Sequence, residues 1–443
     1  MMDAKRLRIA WFSVLNTERS SAGESLSAYF TDCVLPFLQE RFEIEVFHNS
    51  FEKYKGLATF HYLQAAPRHA AYSYDIFFYQ VEDKKENDFI RTHLGLIPGV
   101  VLFHDFVLST DGPEPILNSP WQATLKKFQN LDLTWTDRGA QFLKEGQIAF
   151  REAGYALVPL FSNSANCEQY KSLIRQRLAG DETPSPAYIP IPVTYFKESL
   201  SSMNTLQIAY CGTPFIKHRA HKLFPAIAKL DKPKKLHWLI AEDEVKRAED
   251  LLNEFFGSAW QDFATLHLGR SPQRWQDIIK NCNVAAHPLF SVHGHPCPYL
   301  ELSLAHNLPC LVTRFAYADT LPDALVYKIE AGVTEERQFF EALKHLEETL
   351  GCKRDLSTSA RELFSASAVA QDLAFVFEKN AAYLKNISQR WIALQKNARR
   401  ALLEEVRQSV CIGVKSCDLT GLSNSLSAWD TVFSPVMHEL GWK

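Results

Sequence analysis

No two of the nine cysteines in this 443-residue chain stand at a CxxC spacing, and they form no framework pattern. An odd, scattered set reads as reduced thiols in a cytosolic protein. Long apolar runs are missing as well. The longest stretches, such as Leu94–Phe103, fall far short of the ~20 residues that span a bilayer. Charge of one sign is also lacking, with 48 Lys and Arg against 51 Asp and Glu and a formal net charge of −3. That balance carries no electrostatic footprint for nucleic acid or for a strongly anionic membrane surface. An anionic ligand must therefore be held locally, by a few placed groups. No DxD pair offers an acidic metal cage, and no repeat recurs at solenoid spacing. Lys5, Arg6 and Arg8 before Ile9–Leu15 imitate a short export signal, but the run reads as a buried first strand.

What is present is a globular composition, 46% hydrophobic and 12% aromatic, in a length that implies two domains. In the first half, strand-like runs alternate with helical patterns. Leu7–Leu15 is continuously apolar, as a strand covered on both faces should be. After the polar loop Asn16–Gly23, the residues Leu26, Tyr29, Phe30, Val34, Phe37 and Leu38 recur at helical spacing. Further strands are expected at Glu43–His48, Tyr74–Gln80, Gly99–His104 and Ala156–Phe161, which implies a parallel α/β sheet. Residues 180–193 read GDETPSPAYIPIPV, and four prolines mark an interdomain connection. The strand pattern then restarts at Leu206–Cys211, Lys235–Ala241, Thr265–Leu268, Val284–Pro288 and Leu308–Thr313, and helices dominate after Thr334. Two facing Rossmann-like halves with a helical tail would place a ligand beyond the carboxyl ends of the strands, in the cleft between them.

The most informative segment is Ala286–Thr313, AHPLFSVHGHPCPYLELSLAHNLPCLVT. A buried strand ends near Pro288, and Pro298 suits a first helical position, where its missing N–H is no loss. The spacing predicts a helix over 299–306, with Asn307 as its left-handed cap and a strand at Leu308–Thr313. Such a helix start is an anion site. Glu301 in its first turn, expected to face a wet cleft, can accept from hydroxyls beside that anion. A phosphate-binding helix start next to a hydroxyl-binding carboxylate suits a nucleotide sugar.

This segment resembles the donor-site signature of the group 1 family of retaining GT-B glycosyltransferases, of bacterial surface-polysaccharide type. That frame holds two glutamates separated by seven residues. Here it reads His293-Gly294-His295-Pro296-Cys297-Pro298-Tyr299-Leu300-Glu301, with Ala305, Asn307, Pro309 and Leu311 following. The resemblance places Glu301 on the nucleotide ribose, and it puts His293 where the family has its first glutamate. Tyr210-Cys211-Gly212-Thr213-Pro214-Phe215-Ile216-Lys217 resembles the segment whose basic residue binds the donor pyrophosphate. Lys217 fits that role, with Arg219 the other candidate, while Thr213 stands where the family has an arginine. Leu268-Gly269-Arg270 resembles the base-binding turn. In the first half, Ser20–Tyr29 resembles the glycine-containing loop, with Gly23, and Val101–Asp105 resembles a segment whose histidine, here His104, lies near the transferred sugar.

The resemblance implies a cytoplasmic, metal-independent glycosyltransferase that moves a sugar from a nucleotide-sugar donor to an acceptor hydroxyl with retention, in glycan or surface-polysaccharide synthesis. The expected domains are residues 1–190 (Rossmann-like, acceptor side), 191–390 (Rossmann-like, donor side) and 391–443 (a helical tail packing back on the first). The catalytic candidates are His104, Lys217 and His293. The donor-binding candidates are Gly23, Gly212, Thr213, Arg219, Leu268, Gly294, His295, Pro296 and Glu301. The expected partners are the donor and a glycan, lipid-linked or protein acceptor, with no nucleic acid and no membrane span, though peripheral association is open. Three other readings stand beside this one. They are a nucleotide-sugar 2-epimerase, a non-catalytic relative suggested by His293, and a metal hydrolase resting on His287, His293, His295 and Cys297.

Overall fold

The computed structural model describes residues 6–15, 25–54, 56–108, 147–172, 184–194, 205–231, 234–269, 271–290, 298–315, 317–349 and 357–413. The first sheet contains β1 (Arg8–Phe12), β2 (Glu43–His48), β3 (Thr59–His61), β4 (Ile76–Val81) and β5 (Gly99–Phe103). A small antiparallel pair, β6 (Val107–Leu108) and β7 (Gln147–Ile148), precedes β8 (Ala156–Phe161) and β9 (Ala187–Tyr188). The seven strands run in the order β3-β2-β1-β4-β5-β8-β9, all parallel. Alternation within β1 explains why it reads as one apolar run. Ile9 and Trp11 enter one core while Ala10 and Phe12 enter the other, so both faces are covered.

The second sheet holds β10 (Leu206–Cys211), β11 (Lys234–Ile240), β12 (Ala264–Leu268), β13 (Val284–His287), β14 (Cys310–Thr313) and β15 (Val326–Ile329). Its order is β12-β11-β10-β13-β14-β15, again parallel. Ile208 and Tyr210 pack to one side of it, Ala209 and Cys211 to the other. The chain therefore has two doubly wound α/β units, as the sequence pattern implies.

The proline-rich stretch is a connection, but it also holds β9, which pairs Leu160 with Ala187 and Phe161 with Tyr188. A sheet edge is where flanking prolines are tolerated, because their missing N–H faces away from the ladder. Beyond it Ile189, Ile191 and Val193 are buried. Val193 exchanges backbone hydrogen bonds with Phe364 and Ala366, at the start of the helix Ala366–Gly413. That helix returns to the first unit. Val369, Leu373 and Phe377 join the core of Trp11 and Phe78, and the Phe377 ring meets Phe78 edge-on at 5.5 Å. Among the described residues no helix is long and apolar enough to cross a membrane. Of the apolar residues at helical spacing, Phe37 stands off the buried face, 43% exposed at the end of the helix Leu26–Leu38.

Candidate functional site

Around three strands at the centre of the second sheet, buried polar groups each keep one atom without a partner among the described residues. Thr213 follows β10, Glu301 sits on the helix after β13, and Thr313 ends β14. Thr213 Oγ1, Glu301 Oε2 and Thr313 Oγ1 have no hydrogen-bond partner among the described residues. A buried polar atom without a partner costs about 1–3 kcal/mol, so three of them at neighbouring strand ends suit a site that a ligand would complete.

The helix that carries Glu301 runs Pro298–Ala305 and ends, as expected, on Asn307 in the left-handed conformation (φ 59°). Its position is fixed from the side. The Trp275 indole donates to Tyr299 O (2.8 Å) and Ser303 Oγ (3.1 Å), and His287 Nε2 lies 3.1 Å from the same hydroxyl. Glu301 does not face a wet cleft, for it is fully buried. Tyr317 donates to its Oε1, which leaves Oε2 as the free acceptor. Burial pushes the Glu301 carboxyl up to about 8, against the opposing effect of the Tyr317 hydroxyl.

Gly212 is demanded by packing. A Cβ there would lie 2.5 Å from the Tyr210 hydroxyl, and the Gly212 carbonyl accepts from the Trp238 indole at 2.7 Å. Lys217 lies in the short 3-10 helix Ile216–His218, and its side chain is outside the described residues. Arg219 is itself left-handed (φ 55°). Its guanidinium is clamped on the buried Glu335 carboxylate, with Nε 2.9 Å from Oε1 and 3.1 Å from Oε2, and it stacks over Phe290 at 5.5 Å. This pairing, over 116 residues of sequence, was not legible from the Lys-His-Arg run. At the end of β12, Leu268 is 41% exposed and Gly269 turns the chain with φ 83°.

The first sheet offers a second group of polar strand ends. His104, just after β5, is fully buried against Phe30, with ring centroids 5.6 Å apart. Its Nε2 is 3.0 Å from Gln80 Oε1, and Nδ1 has no partner among the described residues. Burial brings this imidazole down to about 3, so it is neutral at ordinary pH. No local pattern marks Glu82, which is buried after β4. It accepts from Ser25 Oγ (3.0 Å), Ser27 Oγ (2.7 Å) and the Ser27 amide at the start of the helix Leu26–Leu38. The chain thus fills that helix start with its own carboxylate.

Gly23, His293, Gly294, His295 and Pro296 lie outside the described residues, as does Cys297. Among the described residues no group of three His, Cys, Asp or Glu could hold a metal ion. A crevice between Phe37, Val193, Arg361 and Ser365 lies at the other end of the helix Leu26–Leu38 from Glu82, away from these strand ends.

No family model and no curated protein matches the chain. Solved structures do. A glycosyltransferase from Rickettsia africae superposes with a TM-score of 0.56 at 10% identity, over 84% of this chain and 98% of that one. Sucrose-phosphate synthase from Thermosynechococcus elongatus gives 0.56 at 12% identity, over 85% and 100%. HepE of Anabaena, in complex with UDP-glucose, gives 0.55 at 10% identity, over 84% and 100%. At such identities the likeness is one of fold, and the fold is the GT-B architecture of two facing α/β units.

Proposed function

We propose that this chain is a nucleotide-sugar-dependent glycosyltransferase that works with retention and without a metal ion. The observation that carries the reading is Glu301. One of its carboxylate oxygens is held by Tyr317 and the other is buried without a partner among the described residues, at the first turn of a helix at the strand ends of a GT-B fold. A ribose presents two vicinal hydroxyls that would donate to that free oxygen. The Thr213 and Thr313 hydroxyls at the neighbouring strand ends, without partners among the described residues, suit a polar ligand lying across β10, β13 and β14.

The chemistry follows from these groups. The bond between the sugar C1 and the diphosphate oxygen breaks, and a new bond forms between C1 and the acceptor oxygen on the same face. The acceptor proton leaves with the diphosphate. Negative charge grows on the departing diphosphate, where Lys217 and the helix start at Pro298 would stabilise it. Arg219 is assigned a lesser part, because Glu335 already engages it. His104, neutral and with Nδ1 as a free acceptor, would receive a sugar hydroxyl. Docking of the two units around the donor would exclude water. HepE, crystallised with UDP-glucose, makes UDP-sugars the first donors to try.

The test is a panel of UDP-, GDP- and ADP-sugars in EDTA, scored by thermal shift and by released nucleoside diphosphate. Stabilisation by one of them, with slow release that an acceptor accelerates, is expected. No shift with any donor would refute the assignment.

A further inference from the structure

Two hydrogen-bond acceptors stand side by side at the carboxyl edge of the first sheet. β4 and β5 pair with Val81 opposite Phe103, and both of those residues enter the same core. Glu82 and His104 follow them directly, on strands roughly 4.8 Å apart, so alternation sends both side chains to the other face. There they meet the helix Leu26–Leu38, His104 through the Phe30 ring and Glu82 through Ser27.

Each of the two is anchored at one end. His104 Nε2 is 3.0 Å from Gln80 Oε1, and Nδ1 keeps no partner among the described residues. Glu82 Oε1 takes the Ser25 hydroxyl, the Ser27 hydroxyl and the Ser27 amide, while Oε2 has no hydrogen-bond partner among the described residues. Lys84 Nζ lies 3.6 Å from Oε2, beyond hydrogen-bond reach but close enough to favour the ionised carboxylate. Asn87 fixes the turn by accepting the Glu82 amide at 3.2 Å. The neighbouring carboxylate, Asp105, takes the Asp83 amide at 2.9 Å. The helix does not need Glu82 as its cap, because Ser25 already accepts from the Ala28 amide at 3.3 Å. A buried carboxylate costs several kcal/mol, and one present only to close a helix start would not leave an oxygen over.

From this pair we infer that Glu82 is a second sugar-binding residue, whose Oε2 accepts one hydroxyl of the transferred sugar while His104 Nδ1 accepts another. The inference rests on the nucleotide-sugar reading and names what that site selects. Both protein atoms are acceptors, so the sugar must present an O–H to each. A sugar that is deoxygenated or capped at either position leaves one of them unsatisfied. An acidic sugar is disfavoured too, since its carboxylate would meet that of Glu82.

The experiment measures dissociation constants by calorimetry for wild type, Glu82→Gln and His104→Ala. The ligands are UDP-, GDP- and ADP-glucose, the 2-, 3-, 4- and 6-deoxyglucose forms of whichever binds tightest, and the bare nucleoside diphosphate. Wild type should lose at least tenfold with one deoxy donor, whose hydroxyl meets the carboxylate, and about threefold or more with a second. In Glu82→Gln the amide carbonyl can still take the Ser25 and Ser27 donors, which turns NH2 toward the sugar in place of an acceptor. This variant should bind the parent donor at least tenfold more weakly and become indifferent to the first deoxy position. His104→Ala should become indifferent to the second alone. The nucleoside diphosphate should bind all three proteins within twofold, whereas a merely structural role would weaken it along with every donor.

If Glu82→Gln binds the parent donor as tightly as wild type, or keeps every deoxy penalty, the inference fails while the donor reading stands. If none of the three glucose donors binds wild type, the donor reading fails and takes the inference with it. Should Glu82→Gln not fold, wild type decides alone, and a penalty at fewer than two positions overturns the two-acceptor site.

Discussion

His104 Nε2 stands 3.0 Å from Gln80 Oε1, and the bonds behind Gln80 fix which proton that imidazole carries. The Gln80 amide donates to Thr31 Oγ1 (2.7 Å), which also accepts from the Trp11 indole (3.0 Å). Thr31 must therefore give its own proton to Ser13 Oγ (2.8 Å), and Ser13 passes its proton to the Val14 carbonyl (2.7 Å). With its NH2 engaged, Gln80 presents its carbonyl to the ring, so Nε2 holds the proton and Nδ1 is a lone-pair acceptor. His104→Ala should lower turnover about three- to tenfold, the worth of one neutral hydrogen bond, while nucleotide affinity stays within twofold. Gln80→Glu should draw the imidazole toward its ordinary titration range, visible in the ¹⁵N shifts of the ring. Equal losses of turnover and affinity in His104→Ala would remove the residue from the sugar.

The Glu301 carboxyl gives two pH signatures of opposite sign. It titrates near 8 in the folded chain against 4.5 for the free group. Between these values the folded state keeps a proton that the unfolded state has released. Stability therefore falls as pH rises through this window, by up to about 1.4 kcal/mol per unit, and this contribution is fully present only below 4.5. Glu301→Gln should thus melt at a higher temperature than the ligand-free wild type, by more at pH 8 than at pH 5. Ribose hydroxyls donate to the ionised form, so nucleotide affinity should instead rise with pH up to about 8, with a proton released on binding. Calorimetry in buffers of different ionisation enthalpy measures that proton. Affinity that falls over the same range would mean that the acid form donates to the ligand.

The parts of the fold that were legible are those set by local chemistry. A proline at a first helical position and an asparagine in a left-handed cap bracket Glu301 in the sequence as they do in the structure. The two-faced apolar runs read as buried parallel strands because each alternate residue had a core to enter. What could not be read were the partners that decide how the site works. Tyr317 is 16 residues from Glu301, and Glu335 is 116 from Arg219. Nothing local distinguishes those side chains from any buried phenol or helix-start carboxylate. The strand β9 was hidden for another reason, since Ala187 and Tyr188 sit among prolines that argue against a strand, and only an edge position resolves the conflict.

Arg219 and Lys217 should separate cleanly. Removing the Arg219 guanidinium leaves the buried Glu335 carboxylate uncompensated, a loss of roughly 3–5 kcal/mol for such pairs. Arg219→Ala should lower the melting temperature strongly, and Arg219→Ala combined with Glu335→Leu should restore much of it, because the orphaned charge is gone. Lys217→Ala should leave the melting temperature nearly unchanged while weakening nucleoside diphosphate binding. If Arg219→Ala melts like wild type but no longer binds the diphosphate, Arg219 is the phosphate ligand.

Glu301 should be the most sensitive single position for the nucleotide, and its variants should differ in kind. Hydrogen bonds to a charged acceptor are worth roughly 1.5–3 kcal/mol each, and about 1.4 kcal/mol is tenfold in affinity. Glu301→Ala should weaken ribonucleotide binding about ten- to a hundredfold, since a water in the vacated space recovers part of the loss. It also strands the Tyr317 hydroxyl, so this variant should be less stable than Glu301→Gln below pH 5, where the wild-type carboxyl is neutral. Glu301→Gln keeps a carbonyl for Tyr317 and turns an amide NH2 toward the ribose, which exchanges an acceptor for a donor. Its affinity loss should therefore be smaller than that of Glu301→Ala, with stability preserved. The 2′-deoxynucleotide should bind Glu301→Ala almost as well as the ribonucleotide does. If both variants keep the full preference of wild type for ribose, the carboxylate does not touch the sugar of the nucleotide, and the unpaired oxygen must be completed by something else.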